Sequence, residues 1–341
     1  MTIAIPKSPD DIRSLIADMP GPDTKSADAA DAREPQLTKP PGALGRLEEL
    51  ARWAAAWQRK HPATADNITV RIFAGNHGVT AKGVSAFPAD VTVQMVGNFA
   101  AGGAAINQLC RSIGANLDVI ALDLENPTAD FSEGPAMSDS EIAHSFATGM
   151  AAVDPASDLL CIGEMGIGNT TAAAAIAMAL FEGDAADWVG PGTGVAGDAL
   201  DNKTRVVADS VALHSSDAPD GVDILARLGG RELAAMAGAV CAARYQGVPV
   251  ILDGYVATAA AATIRAVRND GLAHCVAGHV SREPGHRRLL DALGMAPLLD
   301  LDMRLGEGSG AALAAAIVKG AIECHRGMAT FAEAGVSDKE G

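Results

Sequence analysis

From residue 68 onward, the sequence alternates short, β-branched apolar runs with longer alanine-rich stretches. Strands that are apolar on both faces need helices on both sides of their sheet, and a helix between consecutive strands is typical of parallel pairing. The alternation therefore predicts an α/β fold in which helices cover both faces of a parallel sheet. The predicted strands are 68–74, 117–123, 158–163, 248–253, 274–278 and 297–301. The predicted helices are 89–111, 170–181, 199–214, 231–246, 255–269, 285–293 and 308–326.

Two end regions flank this Rossmann-like, three-layer part of the chain. Residues 1–66 have a helical pattern, and the final helix has little sheet left to cover, so we expect the two ends to form a small helical domain. Residues 308–341 would complete that domain, and residues 67–307 would form the nucleotide-binding catalytic domain. Ser8 is predicted to cap a first short helix, and the acidic stretch 21–35 is predicted to be a loose connector.

Composition excludes several classes of partner. The net charge is −16 and aromatic residues make up only 4%, whereas a nucleic-acid binder needs a basic face. Apolar stretches such as 171–181 are too short to cross a bilayer. The five cysteines include no CxxC pair, and the sequence begins without a basic segment followed by an apolar core. We therefore expect a cytoplasmic protein with neither a nucleic-acid nor a membrane partner.

The segment GEMGIGNTT at 163–171 follows a predicted strand and is the most informative part of the chain. Ligands of open α/β sheets bind at the carboxyl ends of the strands. The glycines let a ligand approach the backbone, and Asn169, Thr170 and Thr171 can cap the next helix. Backbone N–H groups in such a turn bind phosphate. The alternative is a plain glycine turn before a capped helix.

A second glycine loop, GPGTG at 190–194, offers further backbone N–H groups. Lys203 follows on the next predicted helix. It can supply a cation to the same phosphate, and the alternative is an exposed helix lysine.

Glu164 and Glu307 both lie inside glycine-rich turns, where no long neighbouring side chain covers them. A carboxylate in such a turn can act as a base or stabilise a developing positive charge. The alternative for each is a glutamate near a helix N-terminus that interacts only with the helix dipole.

Three other residues raise the question of a metal site. The spacing of His279, Glu283 and His286 matches no standard ligand motif, so we expect a hydrogen-bonded loop and no metal. His77, in the segment GNHG, is either a site residue or a structural histidine.

Several long motifs occur in one order: KPPGALGRLEELA, AGNHGV with GVSAFPADVTVQM, GEMGIGNTT, GPGTG, LGGRELAAMAG, ILDGYVATAAA and DLDMRLGEGSGAALA. On these motifs, residues 36–330 resemble the nicotinate-nucleotide:dimethylbenzimidazole phosphoribosyltransferases of cobalamin biosynthesis. The resemblance implies an α/β domain plus a small helical domain, assembled as a homodimer. It implies transfer of phosphoribose from nicotinate mononucleotide to 5,6-dimethylbenzimidazole, giving α-ribazole 5′-phosphate and nicotinate, without a cofactor or metal.

The resemblance also assigns roles to residues. Glu307 matches the catalytic base of the family, and Glu164 matches its second carboxylate. The phosphate and ribose would be held by Gly166, Gly168, Asn169, Thr170, Gly192, Thr193, Gly194 and Lys203. The benzimidazole pocket would include Ser85, Gln94, Met165 and Leu305. Asn76 departs from the family, where Asp is common, so the resemblance supports no charged role at this position.

Two other functions fit part of the sequence. A nicotinamide-dependent dehydrogenase needs a third glycine and an acidic residue about twenty residues further on, but Thr171 replaces that glycine. A nucleotide-binding sensor would bind the ligand without releasing nicotinate, and the presence of both Glu164 and Glu307 argues against it. The sequence leaves open which lower-ligand base is used and whether a partner subunit contributes to the site.

Overall fold

The strands of the sheet are short and apolar, as the sequence predicts. The computed structural model describes residues 3–337. Within these residues, five parallel strands lie in the order β2-β1-β3-β4-β5. They are β1 (Ile68–Ala74), β2 (Asn116–Ala121), β3 (Leu159–Met165), β4 (Val250–Leu252) and β5 (Cys275–Ala277). The predicted α/β fold, with helices on both faces of a parallel sheet, is confirmed.

Helices form the two outer layers of the fold. In chain order they are α1 (Pro9–Ala17), α2 (Thr24–Arg33), α3 (Arg46–Gln58), α4 (Asp90–Ala101), α5 (Ala105–Ile113), α6 (Asp139–Ala151), α7 (Asn169–Phe181), α8 (Ala185–Trp188), α9 (Asp198–His214), α10 (Gly221–Leu228), α11 (Arg231–Gln246), α12 (Tyr255–Val267), α13 (Pro284–Leu293), α14 (Ser309–Gly327) and α15 (Phe331–Ala334). Over the described part of the chain, none of them combines the length and the hydropathy that crossing a membrane requires.

Two apolar cores lie on opposite faces of the sheet. Phe73 and Leu160 belong to the core that contains α7, α11 and α12. Ile72 and Cys161 belong to the other core, which contains α5 and α14. Alternate residues of one strand therefore serve different cores, as the geometry of a β-strand requires. Most buried positions of α7, α11 and α12 are alanines, which let these helices pack closely.

Two predicted elements differ in the structure, and two further helices were not predicted. The predicted helix 89–111 is two helices, because Gly102 adopts a left-handed conformation with φ +77° and ends α4. The predicted strand 297–301 forms a single bridge, between His279 and Leu299. The chain leaves the sheet after that bridge, and Leu301 is exposed. The helices α6 and α10 lie in stretches for which the sequence predicted no helix.

The N-terminal segment is more ordered than the sequence suggests. The Ser8 hydroxyl accepts a hydrogen bond from the Asp11 N–H at 3.2 Å, as predicted for the cap of α1. The predicted loose connector 21–35 is wrong, because it contains α2. Asp23 caps that helix through the Ser26 N–H at 3.0 Å, and the buried Ala27 and Ala30 supply the apolar face that the acidic composition concealed.

Helix α14 connects the chain ends with the sheet. It packs on α3, as expected of a small helical domain, and it also covers β3 and β4. Arg33 of α2 donates to the carbonyl oxygens of His325 and Met328 at the end of α14, both at 3.0 Å. Leu37 pairs with Thr330 in an antiparallel bridge. The division into domains at residues 66/67 and 307/308 stays a prediction.

The strand order determines where a ligand can bind. From β1 the chain runs outward to β2 and then returns to β3 on the other side of β1. At such a reversal the loops after the two neighbouring strands leave in opposite directions and open a crevice at their carboxyl ends. The GEMGIGNTT segment spans the end of β3 and the loop that follows it.

Candidate active site

A cavity of about 460 Å³ opens at the carboxyl ends of β3, β4 and β5. Eight of the predicted site residues line it: Glu164, Met165, Gly166, Asn169, Thr170, Gly192, Thr193 and Leu305. Six others lie outside its wall: Ser85, Gln94, Gly168, Gly194, Lys203 and Glu307. The structure thus brings both glycine loops and one of the two carboxylates to a single cavity.

The start of α7 forms the floor of this cavity. Gly168 precedes the helix in a left-handed conformation, φ +92°, and no side chain caps the first turn. The adjacent Ile167 N–H donates to the buried Thr92 hydroxyl at 3.2 Å, which fixes the loop. The N–H groups of Asn169 and Thr171 already donate to carbonyl oxygens of the preceding loop, so the remaining N–H groups and the helix dipole are what suit this turn to a phosphate.

Lys203 of α9 lies behind the turn. Its Nζ donates to the Thr170 hydroxyl at 2.9 Å and to the Gly190 carbonyl at 3.0 Å. The side chain is almost completely buried, and burial lowers the pKa of the ammonium group to about 8. An ammonium has three donors, so one remains for a ligand. Lys203 therefore lies beside the first turn of α7, behind the cavity wall, and its contact with a phosphate stays a prediction.

The loop at 190–194 is fixed by three neighbouring elements. The Gly192 N–H donates to Glu283 at 2.9 Å, and the Gly192 carbonyl accepts from Arg304 at 3.0 Å. The Thr193 hydroxyl lies 3.1 Å from the Ser85 hydroxyl, which brings the loop after β1 to the edge of the cavity. Since Glu283 already accepts the Gly192 N–H, fewer loop amides are free than the sequence suggests.

Glu164 stands at the end of β3, and its carboxylate accepts a hydrogen bond from the Asn169 side chain. Burial, together with the charge of Asp253, raises its pKa to about 8. A Cβ atom on Gly306 would overlap Oε1 of Glu164. Glycine at 306 therefore allows the second carboxylate loop to pass directly over the first.

Glu307 adopts a left-handed backbone conformation, φ +63°, between two glycines with φ +80° and +75°. Its N–H donates to the Glu164 carbonyl at 3.3 Å, so the two carboxylate loops are joined through their backbones. Burial, together with the charge of Asp253, raises the pKa of Glu307 to about 7. Such a carboxyl group changes protonation state near neutral pH, as a general base should.

Asp253 is a residue to which sequence reasoning assigned no role. It follows β4 and is fully buried. Its carboxylate accepts from the N–H groups of Gly308 at 3.1 Å and Ala311 at 2.9 Å, which fixes the start of α14 and the turn of Glu307. An aspartate directly after an apolar strand and before glycine was the sequence signal that could have identified it.

Apolar side chains border the cavity near Leu305. Phe87 and Leu305 are 50% and 55% exposed, and Met165 also lines the wall. Sequence reasoning did not single out Phe87, which follows Ser85 in a loop. Gln94 lies on the exposed side of α4, away from the cavity wall. Its contribution to a pocket for the acceptor base stays a prediction.

Two of the three residues considered for a metal site have other partners. His286 accepts a hydrogen bond from the Ser281 N–H at 2.8 Å and contacts the Thr258 hydroxyl at 3.0 Å. Glu283 binds the loop at Gly192. Across residues 3–337, no cluster of three His, Cys, Asp or Glu side chains has a geometry that could hold a metal ion.

His77 and Asn76 contribute beneath the site. Both His77 and Glu232 are fully buried, and they hydrogen-bond to each other under the loop of Gly166. The Asn76 side chain donates to the Leu124 carbonyl at 2.9 Å. Neither residue lines the cavity, and the side-chain hydrogen bonds of both are made to other parts of the protein.

Fold and site together define an α/β protein whose cavity combines a glycine-rich helix N-terminus with carboxyl groups of raised pKa. Residues 19–336 match a family model described as phosphoribosyltransferase. The chain belongs to the family of nicotinate-nucleotide–dimethylbenzimidazole phosphoribosyltransferases, which are pentosyltransferases, as its relatives show.

Two curated relatives carry that name. The protein of Rhizobium meliloti (strain 1021) is 60% identical over 97% of this chain and 98% of its own. The protein of Ruegeria pomeroyi is 61% identical over 96% of both chains. A crystal structure of CobT from Thermus thermophilus superposes with a TM-score of 0.85 at 41% identity, covering 92% of this chain and all of that one.

Proposed function

We propose that the protein transfers phosphoribose from nicotinate mononucleotide to 5,6-dimethylbenzimidazole in cobalamin biosynthesis, with Glu307 as the general base. The products are α-ribazole 5′-phosphate and nicotinate. The observation that carries the proposal is the joining of the Glu164 and Glu307 loops over the end of β3, beside the phosphate turn of α7. A nucleotide with its phosphate in that turn would place its ribose beside Glu164 in the cavity wall, with Glu307 in the adjoining turn.

The substrate chemistry matches these residues. A nitrogen of the benzimidazole attacks C1′ of the ribose while the bond from C1′ to the nicotinate nitrogen breaks. The bonding pair returns to the pyridinium nitrogen, so nicotinate leaves without needing an acid. The attacking base becomes cationic unless its N–H proton is removed, and Glu307 takes that proton. Attack opposite the leaving group converts a β-nucleotide into an α-product.

Glu164 supports the charge that develops on the ribose. Its raised pKa means that the free enzyme holds this carboxyl group largely protonated at pH 7. The pyridinium of the bound nucleotide is positively charged, and an opposite charge close by favours the carboxylate. The ionised Glu164 then stabilises the oxocarbenium-like transition state.

The acceptor base would lie against the apolar border of the cavity. Met165 and Leu305 supply apolar contact there, and Ser85 lies at the edge of the cavity, where its hydroxyl contacts that of Thr193.

The proposal includes a cytoplasmic homodimer, as the family resemblance implies.

The decisive experiment incubates the protein with nicotinate mononucleotide and a panel of benzimidazoles and identifies the products by mass. We expect nicotinate and one α-nucleotide in equal amounts, with the preferred base identified by kcat/KM. Binding of the mononucleotide without release of nicotinate would instead indicate a sensor, and reduction of a nicotinamide dinucleotide would indicate a dehydrogenase.

A further inference from the structure

His279 is a buried histidine in the cavity wall to which the proposed mechanism gives no role. It follows β5 and is only 1% exposed. Neither ring nitrogen has a hydrogen-bond partner within residues 3–337. Since buried polar atoms are almost always paired, the two unpaired nitrogens of this ring need an explanation from its surroundings.

The nearest acidic group is Asp253. The His279 Nε2 lies 3.7 Å from Asp253 Oδ1, which is within the range of an ion pair but beyond a hydrogen bond. The ring is tightly enclosed, because a Cβ atom on Gly310 would overlap its Cδ2 and one on Gly254 would lie 3.3 Å from its Nε2. The ring therefore has little freedom to turn away from Asp253.

The other titratable groups around this pair do not balance the charge of Asp253. Those that face the pair are Cys161 and Glu164 from β3, Glu307 from the turn before α14, and His286 from α13. The first three are acidic groups. Burial lowers the pKa of His286 to about 3, so that ring is neutral. Of the groups named, this leaves His279 to balance a carboxylate that already accepts two backbone N–H groups.

We propose that His279 and Asp253 act as one positioning unit, in which His279 is the proton-bearing counter-ion that keeps Asp253 ionised. The ionised Asp253 fixes the start of α14 and presents a negative charge to Glu307. The inference rests on the proposed role of Glu307 as the base. Burial raises the pKa of Asp253 above its ordinary value, so without the imidazolium this carboxylate takes up a proton itself, because burial disfavours an unbalanced charge.

The unit controls the basicity of Glu307. The charge of Asp253 contributes to the raised pKa of Glu307, so neutralising Asp253 by any route lowers that pKa. His279→Gln and Asp253→Asn should both move the acid limb of the pH profile of kcat/KM to lower pH, by roughly half a unit or more. The double variant should move it no further than either single variant, because both changes remove the same charge.

His274→Gln is the matched control. His274 precedes the same strand, β5, and is equally buried, with its ring bonded to the Val240 carbonyl at 2.8 Å. His274→Gln should lower the stability of the fold without moving the acid limb of the kcat/KM profile. An acid limb that stays in place in His279→Gln, or moves to higher pH, overturns the proposal, as does a double variant in which the two shifts add.

A second measurement is independent of activity. NMR of the nitrogen-15-labelled protein at pH 7 should show both ring nitrogens of His279 carrying protons. The signal of His279 is identified by its absence in His279→Gln. A neutral His279 ring contradicts the proposal. If the wild-type protein transfers no phosphoribose, the proposed function fails, while this spectrum still decides the pairing.

Discussion

Glu307 owes its position to a backbone conformation that few side chains adopt. Three consecutive residues, 306–308, have positive φ angles, and the glutamate in the middle carries the usual cost of about 1–2 kcal/mol for a residue with a Cβ. Glycine on both sides makes the turn possible, and Asp253 holds it. The carboxyl group is therefore placed by its neighbours rather than by contacts of its own.

Glu307→Gln should lower kcat by at least roughly 100-fold, since general-base catalysis contributes about that much. The affinity for nicotinate mononucleotide should change little, because the phosphate turn is untouched. Steady-state kinetics and calorimetric titration measure the two effects. The exposed Glu49→Gln is the control, and near-wild-type turnover in Glu307→Gln would remove this residue from its role.

Glu164 should destabilise the free protein at alkaline pH. Its pKa of about 8 in the folded state lies above the ordinary 4.5, so its ionisation opposes folding as pH rises between these values. Glu164→Gln should therefore raise Tm at pH 8, by the equivalent of roughly 4 kcal/mol, and change it much less at pH 5. Thermal melts at both pH values test this, with the exposed Glu125→Gln as control. Equal shifts at pH 5 and pH 8 would contradict it.

Two helices bring together the groups of the proposed phosphate site. Helix α9 carries Lys203 to the first turn of α7, and the N-terminus of α7 supplies the backbone amides. These two elements come from separate stretches of the chain, and each was recognised in the sequence by its own local signal. Their contact depends on the packing of the helical layer.

Lys203→Met should raise KM for nicotinate mononucleotide by roughly tenfold or more, because a buried charge-assisted contact is worth about 1.5–3 kcal/mol. In the wild type, the alkaline limb of kcat/KM should fall near pH 8, where Lys203 loses its proton. That limb should disappear in the variant. The control is Arg205→Met on the same helix, whose side chain is largely exposed. A variant that keeps both KM and the limb would show that Lys203 does not contact the phosphate.

The sequence predicted the elements and residues whose signal is local. Strand β1 was predicted at its observed bounds, because its residues are mostly apolar. Glu164 and Glu307 were singled out in the sequence because each has glycine neighbours. The break between α4 and α5 was missed, since a glycine pair inside an apolar pattern does not show its backbone angles. Asp253 and His279 follow separate strands, and their proximity depends on the register of β4 and β5. That register cannot be predicted from composition or periodicity.

At the scale of the whole molecule, the two ends of the chain are joined to each other. Arg33 satisfies carbonyl groups at the end of α14, and Glu34 contacts His325 of the same helix at 2.5 Å. These contacts support the prediction of a small helical unit built from both ends. Helix α14, to which these residues bind, also covers β3 and β4.

Arg33→Ala should lower the free energy of unfolding by about 1–3 kcal/mol, because carbonyl oxygens at the end of α14 lose a charged donor. Urea denaturation measures the change. The control is Arg52→Ala, which removes an ion pair with Asp31 whose side chains are about half exposed. Exposed pairs contribute about 0–1 kcal/mol. Equal losses in the two variants would show that the junction of the chain ends adds no stability.

Helix α14 has a mechanical consequence for the enzyme. Its 19 residues extend for about 28 Å, from the turn of Glu307 at one end to the junction with Arg33 at the other. A rigid helix transmits tilt from one end to the other, so loosening the terminal junction shifts Glu307, the proposed base, relative to a bound nucleotide. Turnover should consequently decline at temperatures or denaturant concentrations where the sheet is still intact.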